Sequence, residues 1–331
     1  MVTQPEPPHP PVIVITGATA TGKTAAALGL ARAFDGEIVS ADSRQLYRGM
    51  DIGTAKPTTA ERALVPHHLI DILDPDEDFS LAQYQALAYA AIDAVHARRR
   101  LPLLVGGTPL YVNAVVEGWR IPRAAPDPAL RAALEAEADE RGLEVLERRL
   151  AAVDPVALER GRGNLRRIVR ALEVHALTGE PMSSQEGKSP PPYRFLQLGL
   201  ALARPALHAR IDARVERMIA VGLIEEVQAL LARGYDPRLP ALSSIGYAEI
   251  IQHLRGELTL ATAVERIKAN THRYVRHQET WLRRNRALCW FDVAEPGWEE
   301  RLRALVRAFL DADTPAITAE RGARNAEQGD G

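Results

Sequence analysis

Gly17-Ala18-Thr19-Ala20-Thr21-Gly22-Lys23-Thr24 fills the template G-x-x-x-x-G-K-[ST] and follows directly on an apolar run, Val12 to Ile15. That run is too uniformly apolar for a half-exposed strand, so it reads as a buried central strand of a parallel sheet. The glycines let backbone N–H groups turn inward on an anion, and a helix opening near Lys23 or Thr24 adds the positive end of its dipole. Lys23 supplies a point charge, and the Thr24 hydroxyl suits a magnesium ion that phosphates also hold. The stretch is a diphosphate cradle between strand and helix; an ordinary Gly-rich turn is the competing reading.

Outward from the cradle, Ala25 to Phe34 is an Ala/Leu-rich helix and Glu37 to Ser40 the next strand. Asp42 falls just past that strand's C-terminal end, where ligands collect in open α/β sheets, so topology sets Asp42, Ser43 and Gln45 beside the phosphate loop. A helix N-cap is the alternative role for Asp42. In the Gly-, Pro- and Thr-rich segment Gly49 to Pro75, His67 and His68 have no Cys cluster or H-E-x-x-H pattern beside them. They read as structural residues near a short strand, His68 to Leu73. Ser80 is expected to cap a helix from Leu81 to about Arg98, and Leu101 to Val105 is a third buried strand. It runs into Gly106-Gly107-Thr108-Pro109: two glycines that permit close approach to a ligand, then a cap residue whose hydroxyl also serves phosphate. Many P-loop ATPases end such a strand in an acidic magnesium ligand; Gly-Gly-Thr argues against a standard ATPase.

Pro122, Pro126 and Pro128 break the chain, and Ala129 to Leu150 and Val156 to Leu177 then carry helical periodicity with no strand between them. They read as an all-helical insertion. Within it Arg160, Arg162, Arg166, Arg167 and Arg170 stand in a stretch without one acidic residue, which favours a polyanion over a solvated face. Gln185 to Pro192 is a linker, and Phe195 to Leu202 a strand returning to the sheet. Arg210 and Arg214 share one helix face. From Val264 to Arg286 the residues Val264, Ile267, Thr271, Tyr274, Gln278, Trp281 and Leu282 form a mostly apolar face, with Arg266, Arg273, Arg276, Arg283 and Arg284 opposite. This asymmetry fits a nucleic-acid surface, with packing against the acidic arm Glu135 to Glu147 as the alternative.

With 46% hydrophobic content, 331 residues suffice for one large core and a smaller second domain. The net charge of -2 conceals local basicity, and only four of the 41 basic residues are lysine. A single cysteine, Cys289, excludes an internal disulfide and fits a reducing compartment; next to Trp290 it reads as a small buried apolar residue. No apolar run approaches the roughly 20 residues of a membrane span, and the N-terminus lacks a basic leader. A cytoplasmic chain is expected, with its core over 12–118 and 190–312, the helical insertion over 119–189, and disordered termini over 1–11 and 313–331.

The cradle, together with Ser-Ala-Asp-Ser-Arg-Gln-Leu-Tyr at 40–47, Met-Asp-Ile-Gly-Thr-Ala-Lys-Pro at 50–57, Gly-Gly-Thr-Pro-Leu-Tyr at 106–111, Arg-Ala-Leu-Glu at 170–173 and Ile-Gly-Tyr at 245–247, resembles the bacterial tRNA dimethylallyltransferases from about Val12 to Phe309. The resemblance implies an α/β P-loop core with a parallel sheet, an all-helical insertion that grips the tRNA anticodon stem-loop, and no obligate protein partner. It implies transfer of a dimethylallyl group from dimethylallyl diphosphate, with Mg2+, to the adenine 3′ of the anticodon. On this reading Gly17, Ala18, Thr19, Ala20, Thr21, Gly22, Lys23 and Thr24 hold the donor, with ATP at best a weak competitor. Asp42 is the base, and Thr108 and Arg214 assist the leaving group. Asp42, Ser43, Arg44 and Gln45, Arg131, Arg166, Arg167, Ile168, Val169 and Arg170, and the run Ser243, Ser244, Ile245, Gly246, Tyr247 and Ala248 face tRNA. Ala248 departs from the family, where a basic residue commonly follows Gly-Tyr, and so does the basic Arg162-Gly163-Asn164-Leu165-Arg166. The zinc finger of eukaryotic members is absent. A P-loop kinase for a nucleotide or small metabolite and a non-enzymatic NTP-dependent RNA-docking module are the alternatives; a kinase needs no long basic helix, and the module needs no Asp42.

Overall fold

The computed structural model describes residues 9–122 and 124–312. Its strands, in chain order, are β1 (Pro11–Gly17), β2 (Gly36–Ser40), β3 (His67–His68), β4 (Leu101–Gly106), β5 (Trp119–Arg120), β6 (Gly187–Lys188), β7 (Arg194–Ala201) and β8 (Cys289–Asp292). Six form one all-parallel sheet in the order β3-β2-β4-β1-β7-β8. The apolar run before the phosphate loop is therefore central, flanked by β4 through Ile13↔Leu103 and by β7 through Ile15↔Leu198. Val12 to Ile15 are wholly buried.

Helix Lys23–Ala33 presses Ala26, Ala27, Leu30 and Ala31 onto this sheet, next to Leu302 and Val306 of helix Trp298–Asp311. Small alanines bring the helix close, and Gly36 keeps the junction open, since a Cβ there would stand 2.4 Å from a Leu103 methyl. A second apolar cluster joins Ile211, Val215, Val227, Tyr247, Ile250 and Ile267 of four further helices: Arg204–Ala220, Leu223–Ala232, Tyr247–Leu254 and Leu260–Leu282. Each fully buried aliphatic contributes about 1.5–3 kcal/mol.

The chain divides into two compact units, one of Met1–Asp78, Leu87–Val112 and Pro192–Gly331, the other of Phe79–Ala86 and Asn113–Pro191. In the second unit the two long helices read from periodicity are four: Pro128–Arg141, Leu143–Val153, Pro155–Gly161 and Leu165–Thr178. Gly142, with φ of 84°, turns the chain between the first pair, and Gly163, with φ of 72°, stands between the last pair. Asp127, Asp154 and Asn164 cap the helices that follow them. The expected linker Gln185 to Pro192 contains β6, paired antiparallel with β5.

Other expectations are corrected. The strand expected over His68 to Leu73 is only His67–His68, because Leu69 and Asp71 take left-handed backbone with φ of 60° and 56°. Cys289 is exposed, not buried: β8 is an edge strand that turns Phe291 inward and leaves Cys289 and Trp290 outside. Helix Leu260–Leu282 buries Ala263, Ile267, Val275, Gln278 and Leu282, whereas Tyr274 and Trp281 of the expected apolar face are 40% and 39% exposed. Of the leader expected to be disordered, Pro11 opens β1 and the Pro10 carbonyl accepts the Arg194 amide at 3.0 Å. The rest of that expectation, 1–8 and 313–331, lies outside the described residues.

Candidate active site

The phosphate loop closes on itself before the helix begins. Thr21 donates through both its amide (3.3 Å) and its hydroxyl (2.8 Å) to the Ala18 carbonyl, and Ala20 and Gly22 adopt φ of 69° and 95°. Lys23 folds back over the turn, its Nζ donating to the carbonyls of Gly17 (3.0 Å) and Ala18 (2.9 Å). Burial pulls the ammonium pKa down to about 8; Asp42 opposes the shift and Arg214 adds to it. Arg214, half-buried on helix Arg204–Ala220, is lowered by burial first, and Asp42 again opposes. Lys23, Arg214 and Asp42 thus form one electrostatic cluster at the mouth of the cradle.

Asp42 lies past the end of β2 and caps no helix; its Oδ1 accepts the Arg44 amide at 2.9 Å, which holds a local turn. The ends of β2 and β4 are laced together, Ala41 donating to Val105 O at 2.7 Å and Thr108 donating to Ala41 O at 3.3 Å. Gly106 is needed for that lacing and not for a ligand, since a Cβ there would sit 2.0 Å from the Ala41 carbonyl oxygen. The Thr108 hydroxyl accepts the Ser43 amide (3.1 Å) and donates to Ser43 Oγ (3.3 Å). The cap on helix Pro109–Val116 is the Thr108 carbonyl, which accepts from Tyr111 and Val112, so the hydroxyl is left for Ser43.

The residues expected to face tRNA divide by exposure. Gln45 props the Met50–Pro57 motif through the carbonyls of Thr54 (3.4 Å) and Ala55 (3.3 Å), and Arg44 donates to the Pro240 carbonyl at 3.0 Å. That motif is a brace: buried Lys56 pairs with Asp51 at 2.7 Å and Asp71 at 2.5 Å. In the Ser243–Ala248 run, Ser244 and Tyr247 are buried and Ser243 is exposed. In the helical unit Ile168 and Val169 lie in its core, so their side chains offer nothing to RNA. Arg131 and Arg170 are held by buried Glu173 at 2.8 and 2.6 Å, and Arg160 by Glu186 at 3.0 Å. Folding brings Arg131 and Arg160 counter-charges from distant positions, whereas Arg170 meets Glu173 one turn on along its own helix; Arg166 and Arg167 stay exposed. The acidic side of the unit serves its own structure, Glu137 pairing with Arg149 and Glu147 accepting the Gly163 amide at 2.8 Å.

Two side chains escaped the reading of the sequence. Gln278 accepts the Thr19 amide at 2.9 Å and donates to the Gly107 carbonyl at 2.5 Å, which takes Thr19 N–H out of the set facing an anion. Tyr274, one turn earlier, brings its phenol to Thr108 and Gln278. The available signal was a polar residue on an otherwise apolar helix face. Among the described residues no cluster of three or more His, Cys, Asp or Glu could hold a metal. His68 pairs with Glu37 at 2.6 Å and His67 with the Val65 carbonyl at 2.7 Å. No helix among them is long and apolar enough to cross a membrane.

Comparison with known proteins converges on one family. The model for IPP transferase matches residues 45–285, and that for isopentenyl transferase matches residues 10–67. A tRNA dimethylallyltransferase of Thermomicrobium roseum is 55% identical over 91% of this chain and 92% of its own length, and one of Roseiflexus castenholzii is 55% identical over 91% and 99%. The crystal structure of a tRNA isopentenylpyrophosphate transferase from Bacillus halodurans aligns with a TM-score of 0.69 at 39% identity, covering 92% of this chain and 98% of that one. With the phosphate loop on the central strand, Asp42 and Thr108 at the neighbouring strand ends and a helical unit beside the sheet in sequence, likeness of this extent makes the chain a member of the tRNA dimethylallyltransferase family.

Proposed function

We propose that the chain transfers a dimethylallyl group from dimethylallyl diphosphate to the exocyclic N6 amine of the adenine immediately 3′ of the anticodon in tRNA, in the cytoplasm. The observation that carries this reading is the cluster of Lys23, Arg214 and Asp42, two cations and one carboxylate at the rim of a phosphate loop. That set suits allyl transfer, in which the C1–O bond breaks with its electron pair leaving on diphosphate, the N6–C1 bond forms, and the amine loses a proton. Lys23, Arg214 and the loop amides stabilise charge growing on the leaving group without reorganising. Asp42 accepts the proton, and the hydroxyl of Thr108, tied to Ser43, assists the leaving group. The target base leaves its stack to reach them, at a cost of a few kcal/mol that contacts to exposed Arg166, Arg167, Arg273 and Arg276 offset.

Magnesium fits the cradle through Thr24, whose hydroxyl makes no hydrogen bond within the described residues. When bound with the diphosphate it would supply further neutralisation of the leaving group. The kinase alternative is not favoured, because the strand end Gly106-Gly107-Thr108 offers no acid and the relatives are named for dimethylallyl, not phosphoryl, transfer.

The test offers labelled dimethylallyl diphosphate, or ATP labelled in the γ-phosphate, to the protein with bulk tRNA or AMP as acceptor. Prenyl label on tRNA adenine supports the reading. Label on AMP, or phosphoryl transfer from ATP, sinks it.

A further inference from the structure

We infer that Gln278 is a positioning residue that sets the span between the donor half and the acceptor half of the active site; the inference rests on the prenyl-transfer reading above. Gln278 is 2% exposed on helix Leu260–Leu282, and its single amide plane joins two loops remote in sequence. On one side is Thr19 of the phosphate loop, which carries the leaving diphosphate. On the other is Gly107, between the end of β4 and Thr108, whose neighbours Ser43 and Asp42 face the acceptor.

The residue type follows from what the loops offer. Thr19 presents an N–H and Gly107 a carbonyl, so the link must accept and donate at once, and it must be neutral. A carboxylate could not donate and would repel diphosphate; a cation could not accept and would compete with Lys23. Gly107 completes the fit, since a Cβ there would come within 2.9 Å of Gln278 Nε2 and 3.4 Å of Lys23 Nζ. Each loop is held by its own bonds as well, Thr21 to Ala18 in one and Ala41 to Val105 in the other. The paired ends of β1 and β4, with the Thr16 hydroxyl donating to the Gly106 carbonyl at 3.0 Å, also hold the loop bases together, so removing the link leaves both loops formed and frees only the distance between their tips, Thr19 and Gly107. In an in-line displacement that distance matters most, because the reacting atoms must come within roughly 3–3.5 Å before the barrier is crossed.

The experiment compares single-turnover prenyl transfer, donor affinity and tRNA affinity for the full chain and two variants. Gln278→Met keeps the length and burial of the side chain and removes both hydrogen bonds. The transfer rate is expected to fall about 100-fold, as for an ångström-scale misplacement, while donor affinity shifts by about fivefold or less, the worth of one neutral hydrogen bond. Gln278→Glu is expected to be slow at neutral pH, where the introduced carboxylate cannot donate to Gly107. It should recover as pH falls and the neutral carboxyl regains both roles, so the variant-to-wild-type rate ratio rises toward acid by up to about tenfold per pH unit. Using the ratio cancels any titration common to both proteins. A wild-type rate for Gln278→Met, or a ratio for Gln278→Glu that is flat with pH, overturns the inference. If the wild type itself attaches no dimethylallyl group to tRNA, the proposed function is what fails.

Discussion

The phenol of Tyr247 donates to Glu226 Oε1 at 2.6 Å, and the same carboxylate accepts the amides of Asp51 (2.9 Å), Ile52 (2.7 Å) and Gly53 (3.2 Å). Tyr247 is wholly buried, and the ring lies so close to Gly53 that a Cβ there would stand 2.4 Å from it. Two of the motifs that mark the family, Met50–Pro57 and Ile245–Tyr247, are thereby one construction.

Tyr247 is accordingly a pillar and not a reader of RNA. Tyr247→Phe should lower unfolding stability in urea by about 1.5–3 kcal/mol, the worth of a hydrogen bond to a charged acceptor, with tRNA affinity unchanged. A variant of full stability that binds tRNA weakly would return Tyr247 to the RNA surface.

Asp42 and Lys23 should separate in kinetics. Asp42→Asn keeps the bond to the Arg44 amide and removes the base, so the chemical step should fall by roughly 10²–10⁴ while both substrates still bind. Lys23→Ala removes a charge that acts in ground and transition states alike, so donor affinity and rate should both drop. Near wild-type single-turnover rates for Asp42→Asn would move the base elsewhere.

The Lys23 pKa of about 8 predicts proton uptake. A diphosphate in the cradle favours the ammonium, so donor binding above pH 8 should take up a proton, detected by calorimetry in buffers of different ionisation heat and absent in Lys23→Met. The sign for stability is the opposite of a salt-bridged lysine. Between about 8 and the ordinary lysine value of 10.5 the unfolded chain holds more protons than the folded one, so the ligand-free protein should gain stability as pH rises through that window.

The arginines of the helical unit should fall into two classes. Replacing Arg166 and Arg167, or Arg273 and Arg276 of the long basic helix, by alanine should weaken tRNA binding and reduce the log–log salt slope by about 0.7–0.9 per lost contact. Arg131→Ala should instead destabilise the unit by about 1–3 kcal/mol, because Glu173 is wholly buried and would keep only Arg170 and the Asp127 amide. Burial alone would raise the Glu173 pKa, yet bonds from Arg131, the Asp127 amide and Arg170 bring it down to about 2. Its contribution is thus complete above the ordinary value of 4.5 and lost as pH falls toward 2, and acid unfolding monitored in the wild type and Arg131→Ala should show that difference. An unchanged salt slope for both arginine pairs would make those faces structural.

Much of this architecture is written locally. The spacing of Gly17, Gly22, Lys23 and Thr24 after an apolar run determines a phosphate loop, because the turn, the inward amides and the helix start all lie within a few residues of one another. Uniform apolarity at Val12 to Ile15 and Leu101 to Val105 determines buried strands, and the position of Asp42 and Thr108 after strands places them near the cradle. Tertiary structure decided which polar groups find partners. Arg131 looks free in the sequence and is held by Glu173, 42 positions on; Tyr247 looks like a contact residue and is held by Glu226; Gln278 looks like part of a packing face and ties Thr19, 259 positions earlier, to Gly107. A buried polar group must be satisfied, but its partner is whichever group the fold brings to it, and separation along the chain carries no information about that meeting.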